Sequence, residues 1–175
     1  MKIAGLLHDS ITDGPGLRFV VFTQGCARNC RGCHNPETWD SDGGIEMPVD
    51  DVIDEMLSNP LTDGLTLSGG EPFMQAADCA SLAAAAHENG LNVWTFTGNT
   101  FEEILREVDI KTDARNLLRL TDVLIDGKYI DTERTLSIKW CGSKNQRVID
   151  VKKSMVTGNG ELYECKNQGI ASGSK

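Results

Sequence analysis

The chain has no excess of positive charge and no long apolar run. Lys and Arg number 17 against 26 Asp and Glu, a formal net charge of −9. A broad nucleic-acid surface needs clustered basic residues, so that class is set aside. No apolar stretch approaches the roughly 20 residues that span a bilayer. The opening Met-Lys-Ile-Ala-Gly-Leu-Leu is broken by His8 and Asp9, which does not suit a secretory signal. The expectation is a cytoplasmic protein with reduced cysteines and with neither nucleic acid nor membrane as partner. Internal repeats and low-complexity linkers are missing too. At 175 residues the chain is one domain's worth. It falls short of the roughly 250 residues of an eight-stranded β/α barrel. Of six cysteines, Cys79, Cys141 and Cys165 are scattered, so no second set stands ready for an auxiliary centre.

The other three stand together in the run Gly25-Cys-Ala-Arg-Asn-Cys-Arg-Gly-Cys-His34. Iron–sulfur clusters are held by cysteine thiolates, four for a closed [4Fe–4S] centre. Cys26, Cys30 and Cys33 would hold three irons and leave one open to a substrate, as catalytic zinc sites keep an open position. The same spacing suits a zinc knuckle, with His34 or a distant cysteine as fourth ligand. The loop by itself does not decide between them.

Leu17–Thr23 reads as a strand, β-branched and aromatic after Gly14-Pro15-Gly16. Pro48–Leu57 reads as a helix with Val49, Val52, Ile53, Met56 and Leu57 on one face. Gly64–Ser68 is a second strand, Gln75–Asn89 an alanine-rich helix stopped by Gly90, and Asn92–Phe96 a third strand. Thr100-Phe-Glu-Glu103 is a capping box opening another helix. Thr112–Leu120 is helical, and Asp122–Ile125 is a fourth strand. Such alternation predicts an α/β fold with a mostly parallel sheet and right-handed crossovers. Ligands bind outside the carboxyl ends of such strands. The cysteine loop, Gly69-Gly70-Glu71-Pro72, Thr97-Gly98-Asn99 and Asp126-Gly127-Lys128 should therefore meet at one rim. From about Thr157 the chain is rich in Gly, Asn and Ser, and 157–175 is expected to be a flexible tail after a domain of residues 1–156.

Gly69 and Gly70 permit a tight turn or close backbone approach to a ligand; beside a metal loop the second use is favoured. Thr97 and Asp126 suit cap or turn roles, and Lys128 a solvated charge. As ligand groups, Lys128 would meet a carboxylate and Asp126 an ammonium or ribose group. Both readings stand at this point.

The C-x3-C-x2-C spacing with Gly-Gly-Glu resembles the radical S-adenosylmethionine (SAM) enzymes. Seven blocks resemble one of their families more closely, the activating proteins of anaerobic (class III) ribonucleotide reductase. They are Asp13–Arg18, Gly25–Cys33, Asn35-Pro-Glu-Thr-Trp39, Leu67–Pro72, Trp94 with Thr97-Gly98, Val123–Lys128 and Gly142–Arg147. The resemblance implies an incomplete β/α barrel with a curved sheet, one [4Fe–4S] cluster on Cys26, Cys30 and Cys33, and SAM on its open iron. It implies SAM contacts from Gly32, Cys33, His34, Ser68, Gly69, Gly70 and Glu71, with Thr97, Asp126 and Lys128 as further candidates. His34 stands where an aromatic residue approaches the adenine. Flavodoxin or ferredoxin would supply the electron, and the radical made from SAM would take hydrogen from a glycine of the reductase. Cys141 departs from the family, which often has Arg there, and the stretch from Lys152 with Cys165 runs past the usual end. Three other readings are an activase of pyruvate formate-lyase, a short radical SAM enzyme for a small molecule, and a zinc-binding adaptor. The Asn35–Trp39 run and the short chain speak against the first.

Overall fold

The computed structural model describes residues 1–107 and 112–164. Its sheet has seven strands. They are β1 (Lys2–Ser10), β2 (Arg18–Thr23), β3 (Ile45–Glu46), β4 (Gly64–Gly69), β5 (Asn92–Phe96), β6 (Val123–Asp126) and β7 (Arg147–Asp150). The helices are α1 (Val49–Leu57), α2 (Ala76–Glu88), α3 (Phe101–Glu107), α4 (Thr112–Leu120) and α5 (Val151–Thr157). The spatial order is β3-β1-β2-β4-β5-β6-β7. The four strands expected from sequence, β2, β4, β5 and β6, pair in parallel. β1 and β3 add antiparallel on one side and β7 on the other. The two edge strands do not pair with each other, so the sheet is an open, incomplete barrel.

Side chains alternate across the strands, and the two faces differ. One face carries Phe19, Val21, Leu65, Leu67 and Val93 under Met56, Leu82, Ala83, Ala86 and Leu117 of the helices. Alanine on α2 lets that helix lie close to the sheet. The other face is concave and filled by Trp94, Val123, Ile125 and Cys141, with Trp140 and Tyr163 against them. Its lower end is closed by Arg18, fully buried. Arg18 donates to Thr66 Oγ1 at 3.0 Å and to Leu65 O and Asn92 Oδ1, and lies 5.8 Å from the Trp94 ring. Burial lowers its pKa to about 10, with Asp63, Asp122 and Asp13 opposing the shift.

The capping box forms as expected. Thr100 N donates to Glu103 Oε2 at 2.8 Å, and Glu103 N to Thr100 Oγ1 at 3.2 Å. After Thr157 the described residues run on to residue 164 beside β7. Asp150 N bonds Glu161 O at 2.9 Å, Tyr163 N bonds Val148 O at 2.9 Å, and Tyr163 packs edge-on to Trp94. Cys165 and the rest of that segment lie outside the described residues. Among the described residues no helix is long and apolar enough to cross a membrane.

Candidate active site

β2 ends at Thr23, and the cysteine loop leaves from it. Residues 35–40 turn back to hold the base of this loop. Gly25 N donates to Thr38 O at 2.8 Å and Cys26 N to Trp39 O at 3.1 Å. Thr38 Oγ1 closes the turn on Asn35 O at 2.7 Å, and Gln24 Nε2 bonds Glu37 O and Asp40 O. Within the loop Asn29 has φ 44° and Gly32 φ 74°. Asn is among the few non-glycine residues at ease there. A Cβ on Gly32 would come 2.6 Å from Asp131 Oδ1. That explains its glycine by loop packing, and Gly32 is not on the cavity wall described next.

A cavity of about 640 Å³ opens at the carboxyl ends of the parallel strands. Cys26, Cys30 and Cys33 all line it, together with Ser68, Gly69, Gly70, Glu71, Thr97 and His34. Of the residues singled out from sequence as site candidates, nine thus share one wall system. Phe22 and Phe96 supply apolar wall, and Thr12, Asp13, Tyr129, Arg134, Leu136 and Cys141 also line the cavity. The three loop cysteines are free thiols. Burial pushes the Cys26 thiol up, and the charges of Glu71, Cys30 and Cys33 push the same way. Three thiolates crowded together call for a cationic centre, and metal ligation needs the thiolate form. An iron–sulfur cube takes one cysteine per iron, and three cysteine thiols lining one cavity are a donor set that fits it.

The Gly-Gly-Glu turn is stitched to the root of the cysteine loop. Gly70 N donates to Thr23 O at 2.8 Å and Glu71 N to Gly25 O at 2.9 Å. Gly69 has φ 92°, and a Cβ there would come 2.6 Å from Phe22 Cα. Glu71 is buried and faces away from open solvent. It accepts from Thr97 Oγ1 at 2.8 Å, Gly98 N at 3.0 Å and Phe73 N at 3.3 Å. Burial raises its pKa, with those donors and Arg28 pulling the other way. Glu71 therefore fixes the turn, and Thr97 is its partner. His34 leans on Tyr129, ring centroids 5.0 Å apart, so the two rings form a platform beside the cysteines.

Asp126 and Lys128 are not brought to the cavity wall. On β6 the neighbours Val123 and Ile125 face inward, so strand alternation turns Asp126 toward the helices. There it accepts from Phe101 N at 2.8 Å, at the start of α3, and from Arg147 Nε at 3.0 Å. Lys128 is exposed, with its carbonyl taken by Asn145 Nδ2 at 2.8 Å. Only Gly127 of that turn reaches the cavity. The Gly142–Gln146 run clasps the same rim. Gln146 Oε1 accepts from Gly142 N at 2.8 Å and Ser143 N at 3.1 Å, while Nε2 donates to Gly127 O at 3.0 Å. Sequence reasoning gave Arg28 no role and placed Asn99 only within a rim turn, yet the two join those rim segments (Arg28 Nη2 to Asn99 Oδ1). The position of Arg28 between two cysteines of the loop was the available signal.

Residues 12–149 match the family model described as "4Fe-4S single cluster domain". The chain is also similar to the pyruvate formate-lyase-activating enzymes of Staphylococcus aureus strains USA300, NCTC 8325 / PS 47 and COL. Each is 33% identical over 170 residues, covering 87% of this chain and 64% of the relative. The chain thus spans less than two thirds of the length of these relatives.

Proposed function

Since the chain belongs to the 4Fe-4S single cluster domain family, we propose that it is a glycyl-radical activating enzyme, a radical SAM oxidoreductase. One observation carries the reading: three cysteines and the Gly69–Glu71 turn, from different strands, line one cavity at the carboxyl edge of an open barrel. The relatives' name supports the same class of activity.

Cys26, Cys30 and Cys33 would hold one [4Fe–4S] cluster. Reduced by a flavodoxin or ferredoxin, such a cluster would supply the one electron for cleavage of SAM to methionine and a 5′-deoxyadenosyl radical, and hydrogen-atom transfer from the partner's glycine would then leave 5′-deoxyadenosine and a glycyl radical. The chain's own residues bind and orient. Gly69 and Gly70 offer bare backbone to the methionine part of SAM. Glu71 holds that turn through Thr97 and Gly98, and with its oxygens so occupied it is no free base. His34 and Tyr129 offer ring faces to the adenine. Phe22 and Phe96 keep water from the reacting atoms. Hydrogen-atom transfer needs positioning more than acid–base help.

The partner we assign is anaerobic ribonucleotide reductase, supported by the resemblance of Asn35–Trp39 and Gly142–Gln146 to its activating proteins. Pyruvate formate-lyase is the second reading, supported by the relatives' name. The test is to incubate the reduced, cluster-loaded protein and SAM with each enzyme separately and record electron paramagnetic resonance (EPR) spectra. The first reading predicts a persistent glycyl radical on the reductase. A radical on the lyase alone would transfer the assignment. A radical on neither, with zinc and no sulfide in the purified protein, would replace the activase by the adaptor.

A further inference from the structure

Arg28 lies between Cys26 and Cys30, and its side chain is 28% exposed on the cavity wall. Its guanidinium reaches two other rim segments. Nη2 donates to Asn99 Oδ1, after β5. Nε lies 3.9 Å from Glu71 Oε2, after β4, and Nη2 lies 4.0 Å from Glu103 Oε2 on α3. The hydrogen bond to Asn99 fixes direction, and the two carboxylates contribute at charge-contact range. Asn99 is itself held. Its backbone N and Nδ2 each donate to Thr97 Oγ1 at 3.1 Å, and its carbonyl accepts from Gly127 N at 2.9 Å. Thr97 in turn donates to Glu71. The arginine's stem lies on Gly98, where a Cβ would come 2.6 Å from Nε and overlap Cδ. Position 98 therefore has no room for a side chain while Arg28 keeps its place.

We propose that Arg28 is a positioning residue that locks the cysteine loop to the Gly69–Glu71 and Thr97–Asn99 turns, holding cluster and ligand in register and setting a positive charge beside the cluster. The inference rests on the SAM-binding reading above. An arginine suits this task because its planar fork makes several directed contacts at once, which a lysine cannot reproduce. A cation beside an iron–sulfur centre also favours the reduced, more negative state.

The experiment uses the full chain, reconstituted anaerobically. The wild type, Arg28→Gln, Arg28→Lys and Asn99→Ala are compared for iron and sulfide content, midpoint potential, and SAM affinity read from the change SAM makes in the EPR signal of the reduced cluster. Arg28→Gln should keep its iron and sulfide and show a more negative potential. Its SAM affinity should fall roughly tenfold, the scale of one lost charge-assisted hydrogen bond. Arg28→Lys should restore the potential and only part of the affinity. Asn99→Ala should weaken SAM without moving the potential, because the charge remains. Wild-type affinity in Asn99→Ala, where the cysteine loop is unaltered, overturns the proposal whatever Arg28→Gln does. An unchanged potential in cluster-loaded Arg28→Gln overturns the charge role. If the wild type itself shows no response to SAM, the SAM-binding reading fails instead.

Discussion

The carbonyl oxygen of Gly25 fills the place where a Cβ on Gly70 would sit, and the same oxygen accepts the Glu71 N–H at 2.9 Å. The Gly69–Glu71 turn and the root of the cysteine loop are therefore one packed unit. Reading the two as separate segments would have Gly70 serve the ligand alone. The contact instead predicts that Gly70→Ala impairs both, because a methyl group there must push the Gly25 backbone and the cysteine that follows. Iron analysis after reconstitution should show reduced cluster content together with weakened SAM binding. Full iron with lost SAM binding would return the turn to a ligand-only role.

Replacing Cys26, Cys30 or Cys33 by Ala should empty the site of iron and abolish SAM cleavage. Cys79→Ala should keep the cluster, since that thiol is sealed between helix and sheet. Cys141→Ala is the sharper case, because Cys141 lines the same cavity. Iron retained in Cys141→Ala supports three ligands and an open iron, whereas iron lost would make Cys141 a fourth.

Glu102 offers a pH test away from the cavity. Arg147 bonds it through Nη1 at 3.2 Å and Nη2 at 2.7 Å, and holds its pKa down to about 2 from an ordinary 4.5. A depressed carboxylate contributes its stability above the ordinary value and loses it as pH falls toward the folded one. The melting temperature of Glu102→Gln should therefore lie below wild type at pH 6, with the gap closing between about pH 4.5 and 2. A gap that persists unchanged at pH 2 would remove the ion pair as its cause.

At the opposite end of the barrel, a Cβ on Gly64 would come 2.6 Å from Arg18 Cζ and 2.6 Å from Asn92 O. Gly64→Ala should cost about 1–3 kcal/mol, the scale of overpacking a core, as measured by urea unfolding. Iron binding should be untouched, because the cysteines sit at the far ends of the strands.

The parallel strands and their crossover helices were legible because their apolar periods are clean, as in Phe19–Val21 and Leu65–Leu67. β1 escaped notice because Gly5, His8 and Asp9 interrupt its alternation, and Leu7, His8 and Asp9 are exposed. β7 has four residues, too few for a period. The site was readable where residue chemistry is itself the signal: cysteine spacing and paired glycines. Asp126 shows the limit. Its place at a strand end predicted the right rim, but the face it points to depends on strand parity, and parity sends it to the start of α3. The contacts of Arg28 with Asn99 and Glu71 span 71 and 43 residues of chain, and no local pattern announces them.

The most direct measurement follows the hydrogen atom itself. The reductase is prepared with deuterium at the Cα of its C-terminal glycine and mixed with the reduced protein and SAM. The account predicts a glycyl radical on the reductase and one deuterium in the 5′-deoxyadenosine formed, seen by mass spectrometry. Unlabelled 5′-deoxyadenosine beside a fully formed glycyl radical would contradict it, because the radical derived from SAM would then not be the species that takes the hydrogen.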